Sequence, residues 1–261
     1  MKTIFSLKDK VAIVTGGGNG IGESVCKVLA QQGAIVHFLD IDKENGQRVE
    51  KDIQQEQGRA FFHHCDITQH DNVGQIFESS FQQSGSLDIL VNNAGIAHIG
   101  NVENTTEDDM DRIYAVNIKS VYSCLHFGVR HMKKSGGGSI INMASVASVI
   151  GLADRFAYSM SKGAVYTMTF SIAKDYIDDN IRCNAIGPAR VHTPFVDGYL
   201  KNNYPGKEDE MFEKLSKTQP IGRMGQPSEI AHLVAYLCSD EASFITGSFY
   251  PIDGGFLTLN T

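Results

Sequence analysis

Tyr158 and Lys162 stand four residues apart in a stretch, Tyr158 to Tyr176, whose apolar spacing predicts a helix, so their side chains share one face. A free tyrosine loses its proton at a pKa of about 10. A neighbouring ammonium favours the phenolate and lowers that value, which lets the ring exchange a proton with an alcohol near neutral pH. Ser145 lies 13 residues before Tyr158, just past a short apolar run, Ser139 to Met143, that reads as a strand. From there its hydroxyl can hydrogen-bond a substrate oxygen as charge develops on it. A tyrosine and a lysine at this spacing also occur on plain solvated helices, so the pair gains meaning only from what surrounds it.

The second reactive region is Thr15-Gly16-Gly17-Gly18-Asn19-Gly20-Ile21-Gly22, between the apolar run Val11 to Thr15 and a helical pattern at Ile21, Val25, Val28 and Leu29. Glycines between a strand and a helix let the backbone turn tightly and let a pyrophosphate approach the amides, with the helix N-terminus supplying partial positive charge. Asp40 ends the next apolar run, 18 residues beyond Gly22. In a dinucleotide site that carboxylate accepts hydrogen bonds from the adenosine ribose hydroxyls and repels a 2′-phosphate. Gly17, Gly18, Asn19 and Ile41 offer no cation to offset it, so the expected cofactor is NAD.

These residues need a frame. Strands are expected at 11–15, 34–39, 60–65, 89–91, 139–143, 181–186 and 249–252. Helices are expected after Gly20 and over 43–57, 72–84, 107–134, 158–176 and 228–237, with Thr105 or Thr106 capping the longest. Strand and helix alternating to this extent predict an α/β fold: a doubly wound parallel sheet with helices on both faces. No linker or repeat interrupts it, and residues 1–261 read as one domain. The stretch 187–226 breaks the rhythm with proline, glycine and mixed charge, and is too long for a plain connection, so it is expected to form a substrate lid.

With these motifs in place the chain resembles the short-chain dehydrogenase/reductase family along essentially its whole length. The matching residues are Thr15-Gly16-x-x-x-Gly20-x-Gly22, Asp66, Asn92-Asn93-Ala94-Gly95, Asn117, Ser145, Tyr158-x-x-x-Lys162 and Pro188 with Thr193-Pro194. The resemblance implies a Rossmann-like sheet of about seven strands and a catalytic set of Asn117, Ser145, Tyr158 and Lys162. It implies a cofactor site of Gly16, Asn19, Gly20, Ile21, Gly22, Asp40, Asp66, Ile67, Asn93, Ala94, Gly95, Tyr158, Lys162, Pro188, Val191 and Thr193. By the same resemblance Asp66 meets the adenine, Asn93 the adenosine ribose and Lys162 the nicotinamide ribose. Asn117 holds a water that relays protons to Lys162. The chain departs from the family in having Pro188-Ala189 for its usual Pro-Gly, and Val191 where isoleucine is frequent.

The expected activity is hydride transfer between the nicotinamide and a secondary alcohol or ketone of a small polar substrate. Arg155, three before Tyr158, and Arg223 are candidates for holding a substrate carboxylate or, alternatively, for structural ion pairs. The segment Ala153 to Tyr158 is similar to that of family members acting on hydroxy acids or deoxy sugar acids. His98 and His192 are further candidates for the pocket. The alternatives are a 3-oxoacyl-(acyl carrier protein) reductase, which Asp40 disfavours because such reductases usually take NADPH, and a nucleotide-sensing protein without turnover. The resemblance and the apolar end Phe244 to Leu259 point to a homo-oligomer, expected to be a tetramer.

Composition narrows the remaining classes. A net charge of -7 and no cluster of Lys and Arg argue against nucleic acid as a partner. The start, Met1 to Lys10, lacks the apolar core of a signal peptide, and no run is long and apolar enough for a membrane span. The expected location is therefore cytoplasmic. Five widely spaced cysteines without a Cys-x-x-Cys pair read as free thiols. His63-His64-Cys65 sits in an expected strand, where neighbours face opposite ways, so no metal site is expected.

Overall fold

A computed structural model describes residues 4–259. The first residues of the Met1–Lys10 reading, Lys2 among them, lie outside that range. Seven parallel strands form one sheet: β1 (Val11–Thr15), β2 (Ile35–Asp40), β3 (Arg59–His64), β4 (Ile89–Asn92), β5 (Gly138–Met143), β6 (Ile181–Pro188) and β7 (Phe249–Ile252). Their spatial order is β3-β2-β1-β4-β5-β6-β7, with every neighbouring pair parallel. The chain turns back on itself between β1 and β4. In open α/β sheets ligands bind at such a reversal, outside the carboxyl ends of the strands.

The helices are α1 (Gly20–Gln31), α2 (Lys43–Gln55), α3 (His70–Ser84), α4 (Glu107–Ile113), α5 (Ser120–Ser135), α6 (Phe156–Asp175), α7 (Pro194–Asn203), α8 (Glu208–Ser216) and α9 (Pro227–Cys238). Alternation along each strand divides the core. Ala12 and Val14 of β1 face α1 and α9, packing with Val25, Leu29, Ile230 and Val234. Ile13 faces the other way, with Phe77 of α3, Leu125 and Met132 of α5 and Val165 of α6. Both layers close over buried apolar side chains, which is why the strands read as unbroken hydrophobic runs.

Two regions differ from the sequence expectation. The single helix expected over 107–134 is α4 and α5 joined through a π-helical turn, Tyr114–Lys119. Thr106 caps α4 in a reciprocal box with Asp109. The irregular stretch 187–226, expected as a lid, contains two helices, α7 and α8. It is pinned to the body where Arg190 and His192 exchange backbone bonds of 2.9 Å with Gly225. All five cysteines are free and buried. Burial raises the thiol of Cys65 to about 11 and those of Cys124 and Cys238 to about 12. No helix among the described residues is long and apolar enough to cross a membrane.

Candidate active site

Every sequence motif arrives at the carboxyl edge of the sheet. Gly16 leaves β1 with a φ of +66°, and a side chain there would come within 2.9 Å of the Ala94 backbone. A Cβ on Gly22 would run into the Gly16 carbonyl. Glycine is therefore required twice, once for conformation and once for space. The loop is held from β4: the Thr15 hydroxyl accepts from the backbone nitrogens of Asn93 and Ala94, each at 3.1 Å. Asn93 in turn donates its Nδ2 to the carbonyls of Thr15 and Gly16. Its side chain thus shapes the turn. Asn19 then caps α1, accepting from Gly20 at 2.7 Å.

Asp40 ends β2 beside this loop. One carboxylate oxygen accepts from the Gly18 amide at 2.8 Å and the other from the Asp42 amide at 2.9 Å. A Cβ on Gly18 would lie 2.9 Å from that carboxylate. Sequence reasoning missed a cation here. Arg48, on α2, reaches the Gly18 carbonyl at 3.3 Å. It is already matched, with Glu23 at 2.7 Å and Asp52 at 3.3 Å. Asp66 turns the chain after β3, accepting from the amide and hydroxyl of Thr68, so that Ile67 sits within that turn. The loop, the capped helix and the carboxylate lie together, the combination of parts that a dinucleotide site uses, and a side chain on Gly20 would meet Thr193.

The catalytic candidates converge next to it. Ser145 follows β5 and holds the start of a short helical turn, with Ala147 donating to its hydroxyl at 3.2 Å. Tyr158 and Lys162 lie on α6, the Lys162 Nζ 5.9 Å from the centre of the tyrosine ring. That nitrogen donates to the Met143 carbonyl at 2.7 Å. Burial holds the Lys162 ammonium down, to about 8. Burial also raises Tyr158, opposed first by its hydrogen bond to Ser145 and then by the charge of Arg155. The lowering that the sequence reading assigned to Lys162 thus falls, in the chain without ligand, to Ser145 and Arg155. A buried network registers α6 on the sheet: Asn92 donates to Asn142 at 2.8 Å, and Asn142 to Thr169 at 3.0 Å.

Asn117 lies in the π-helical turn, a feature that often marks a functional site. Its Oδ1 accepts from the Ile96 amide at 2.8 Å, and its Nδ2 donates to the Ile96 carbonyl and to Ser161, the latter at 3.0 Å. Both amide protons are therefore used in tying α4–α5 to the loop after β4 and to α6. Gly95 faces this corner: a Cβ there would be 3.2 Å from Asn117 Oδ1 and 3.5 Å from Lys162 Nζ.

The four substrate candidates separate. Arg155 stands at the start of α6, its backbone paired with Gly100 and its Nη1 on the Asp154 carbonyl at 2.9 Å. Arg223 makes a two-pronged ion pair with Glu229, 2.8 Å on each arm, so its guanidinium serves the start of α9. The ion-pair alternative is the one its geometry supports. His192 bonds Asp197 at 2.8 Å and stacks edge-on against Phe212, within the lid. His98 lies 3.4 Å from Asp109 with its Nδ1 buried and without a partner. Arg190, which the sequence reading passed over, is the further cation of this edge, its Nε on the Thr218 hydroxyl at 3.1 Å.

Comparison with known proteins finds relatives along nearly the whole chain. A family model described as enoyl-(acyl carrier protein) reductase matches residues 16–257. An uncharacterized oxidoreductase of Thermotoga maritima is 39% identical over 251 residues, covering 96% of this chain and 98% of its own. The ligand-free structure of an aldohexose dehydrogenase from Thermoplasma acidophilum superposes with a TM-score of 0.88 at 34% identity, covering 98% of each chain. A 7α-hydroxysteroid dehydrogenase solved with NADH and a 7-oxo bile acid gives 0.88 at 33% identity, covering 96% of this chain and 95% of that one.

Proposed function

Since this chain belongs to the short-chain dehydrogenase/reductase family and is an oxidoreductase of alcohols and ketones, we propose that it uses NAD(H) and acts on a secondary hydroxyl of a small polar substrate. The observation that carries the cofactor half is Asp40. Its carboxylate, fixed by two backbone amides, borders the glycine cradle. The cation near it is committed to Glu23 and Asp52. A 2′-phosphate would meet a like charge with nothing to offset it. The neighbour solved with NADH is consistent with this choice.

When bound, the nicotinamide supplies or accepts the hydride. The chain supplies the proton chemistry. Tyr158 hands a proton to, or takes it from, the reacting oxygen. Ser145 donates a hydrogen bond to that oxygen as charge grows. Ser145 and Arg155 oppose the rise that burial imposes on Tyr158, and Lys162 is the residue to hold the nicotinamide ribose. Asn117 fixes the corner in which Lys162 sits, its side-chain amide engaged by Ile96 and Ser161. The polar substrate class draws support from the neighbour whose structure is that of an aldohexose dehydrogenase. The 3-oxoacyl reductase alternative is disfavoured by Asp40.

The test is steady-state kinetics with both cofactors on a panel of polyols, sugars and hydroxy acids. NAD is expected to exceed NADP by on the order of a hundredfold in kcat/KM, since one unscreened like-charge contact is worth a few kcal/mol. Asp40→Ala should narrow that gap. Equal efficiency with both cofactors would overturn the assignment.

A further inference from the structure

Every donor of Arg48 is engaged. A guanidinium carries five N–H groups in a fixed fork. Here Nε donates to Asn45 Oδ1 at 3.2 Å. Nη1 donates to Glu23 Oε1 at 2.9 Å and to Asp52 Oδ2 at 3.3 Å. Nη2 donates to Glu23 Oε2 at 2.7 Å and to the Gly18 carbonyl at 3.3 Å. The two shortest bonds form the parallel, two-pronged pairing of a guanidinium with one carboxylate, that of Glu23. Glu23 stands in the first turn of α1, directly after the glycine loop, with its side chain 18% exposed. Lys27 bonds the same two acids, Glu23 at 2.8 Å and Asp52 at 3.3 Å, so two anions balance two cations.

This guanidinium belongs to a ring of hydrogen bonds that passes through Asp40. On one side the Gly18 amide donates to Asp40 at 2.8 Å while the Gly18 carbonyl accepts from Arg48. On the other side Asp40 accepts from the Asp42 amide at 2.9 Å, Asp42 from the Asn45 side-chain amide at 2.7 Å, and Asn45 from Arg48. Arg48 is thus one peptide unit away from the carboxylate that would take the adenosine ribose hydroxyls. A 2′-phosphate would leave the ribose at that carboxylate. A nearby arginine is how dinucleotide sites accommodate such a phosphate, and its planar fork suits the group. In this chain the arginine is present, and what decides its use is the acid that holds it.

We propose that Glu23 is a second determinant of cofactor choice beside Asp40: by filling the fork of Arg48 it withholds from a 2′-phosphate the guanidinium that is bonded to the glycine loop. This rests on the NAD reading above and deepens it. Asp40 repels the phosphate, and Glu23 removes the cation that would otherwise attract it. Exposed ion pairs contribute little to stability, so the effect of this pair is expected in discrimination and not in the fold.

The experiment measures binding of NAD and of NADP to the purified chain by titration calorimetry, so the readout is affinity and not turnover. The wild-type chain should bind NAD more tightly, and Asp40→Ala should narrow the gap. Adding Glu23→Ala to Asp40→Ala should narrow it by about a further tenfold, through tighter NADP binding with NAD affinity nearly unchanged. Glu23→Gln, which keeps the shape of the side chain and drops its charge, should move NADP affinity the same way by less. With Arg48→Ala also present, the Glu23 substitution should leave the ratio where Asp40→Ala put it; Lys27 is still there, so the cycle separates the two cations. If Glu23→Ala leaves the NADP affinity of the Asp40→Ala chain unchanged, or if its gain persists without Arg48, the proposal is overturned while the reading of Asp40 stands. If the wild-type chain binds both cofactors equally, the NAD assignment has failed and this one with it.

Discussion

Lys162 shows how far one position is shaped by chemistry instead of stability. Its ammonium is 6% exposed and is held down to about 8 from 10.5. A base whose folded pKa lies below its unfolded value weakens the fold at every pH below the folded pKa, and the penalty fades only as pH rises toward 10.5. A depression of this size corresponds to roughly 3 kcal/mol. Lys162→Met should therefore stabilise the unliganded chain by roughly 1–3 kcal/mol in urea unfolding while removing turnover. Tyr158→Phe should also remove turnover, lowering it by roughly 10²–10⁴-fold, yet keep NADH affinity, because the ring stays and only the proton is gone. A destabilised Lys162→Met, or an active Tyr158→Phe, would show that these roles are misassigned. Most residues of this site were legible in the sequence because each lies in a local motif: glycines at a turn, an acid at a strand end, a tyrosine and lysine on one helix face. Arg190 was not. Nothing adjacent to it announces a role, and its ties to Gly225 and Thr218 exist only in the folded chain. Arg48 escaped for the same reason, reaching the glycine loop from a separate helix.

Among the elements, the strands and most helices were readable to within a few residues, since unbroken apolar runs and helical spacing report burial directly. The lid helices α7 and α8 were not, because each buries little: Leu200 and Ser216 are their fully covered residues. The π-helical turn left no mark on the apolar period either. The strand pair β2–β3 carries a consequence for acid stability. His37 is fully buried in β2, with one ring nitrogen 3.0 Å from His63 of β3 and the other 2.8 Å from Ser84 of α3. Burial, and then the neighbouring His63, lower His37 from 6.5 to about 4. The native state therefore holds this ring neutral while the unfolded chain protonates it. Stability is complete above about pH 6.5 and falls as the pH drops from there toward 4, by about 3 kcal/mol at most. Urea midpoints measured between pH 7 and 4.5 should show this decline, and His37→Gln should flatten it. An unchanged slope in the variant would assign the acid sensitivity elsewhere.

The whole molecule leaves substantial apolar surface uncovered. Tyr114, Tyr122, Phe156, Met160 and Phe170 are between about a third and about half exposed along α4 to α6, and Phe244 is fully exposed. Phe249, Tyr250 and Phe256 of the apolar end are partly covered by their own domain, with Leu259 left 68% exposed. Contiguous exposed apolar surface of this kind marks association sites. We propose a homo-oligomer, expected as a tetramer, in which the α4–α6 face meets its own copy. Light scattering at micromolar concentration should give about four times the 28.5 kDa chain mass. A monomer would remove this reading, and Phe156→Glu should shift the measured mass downward if this face is the contact.

The five buried thiols give the molecule a clock. With pKa values near 11 and 12, roughly one in ten thousand or fewer of the Cys65, Cys124 and Cys238 side chains is anionic at neutral pH. The native chain should resist alkylation, and each cysteine becomes reactive only when the layer above it parts. Cys26 lies on the buried face of α1, Cys238 at the end of α9, and Cys65, Cys124 and Cys183 in the opposite layer. Timed labelling followed by mass spectrometry would therefore record which side of the sheet breathes first, and whether an occupied cofactor cradle quiets one side more than the other.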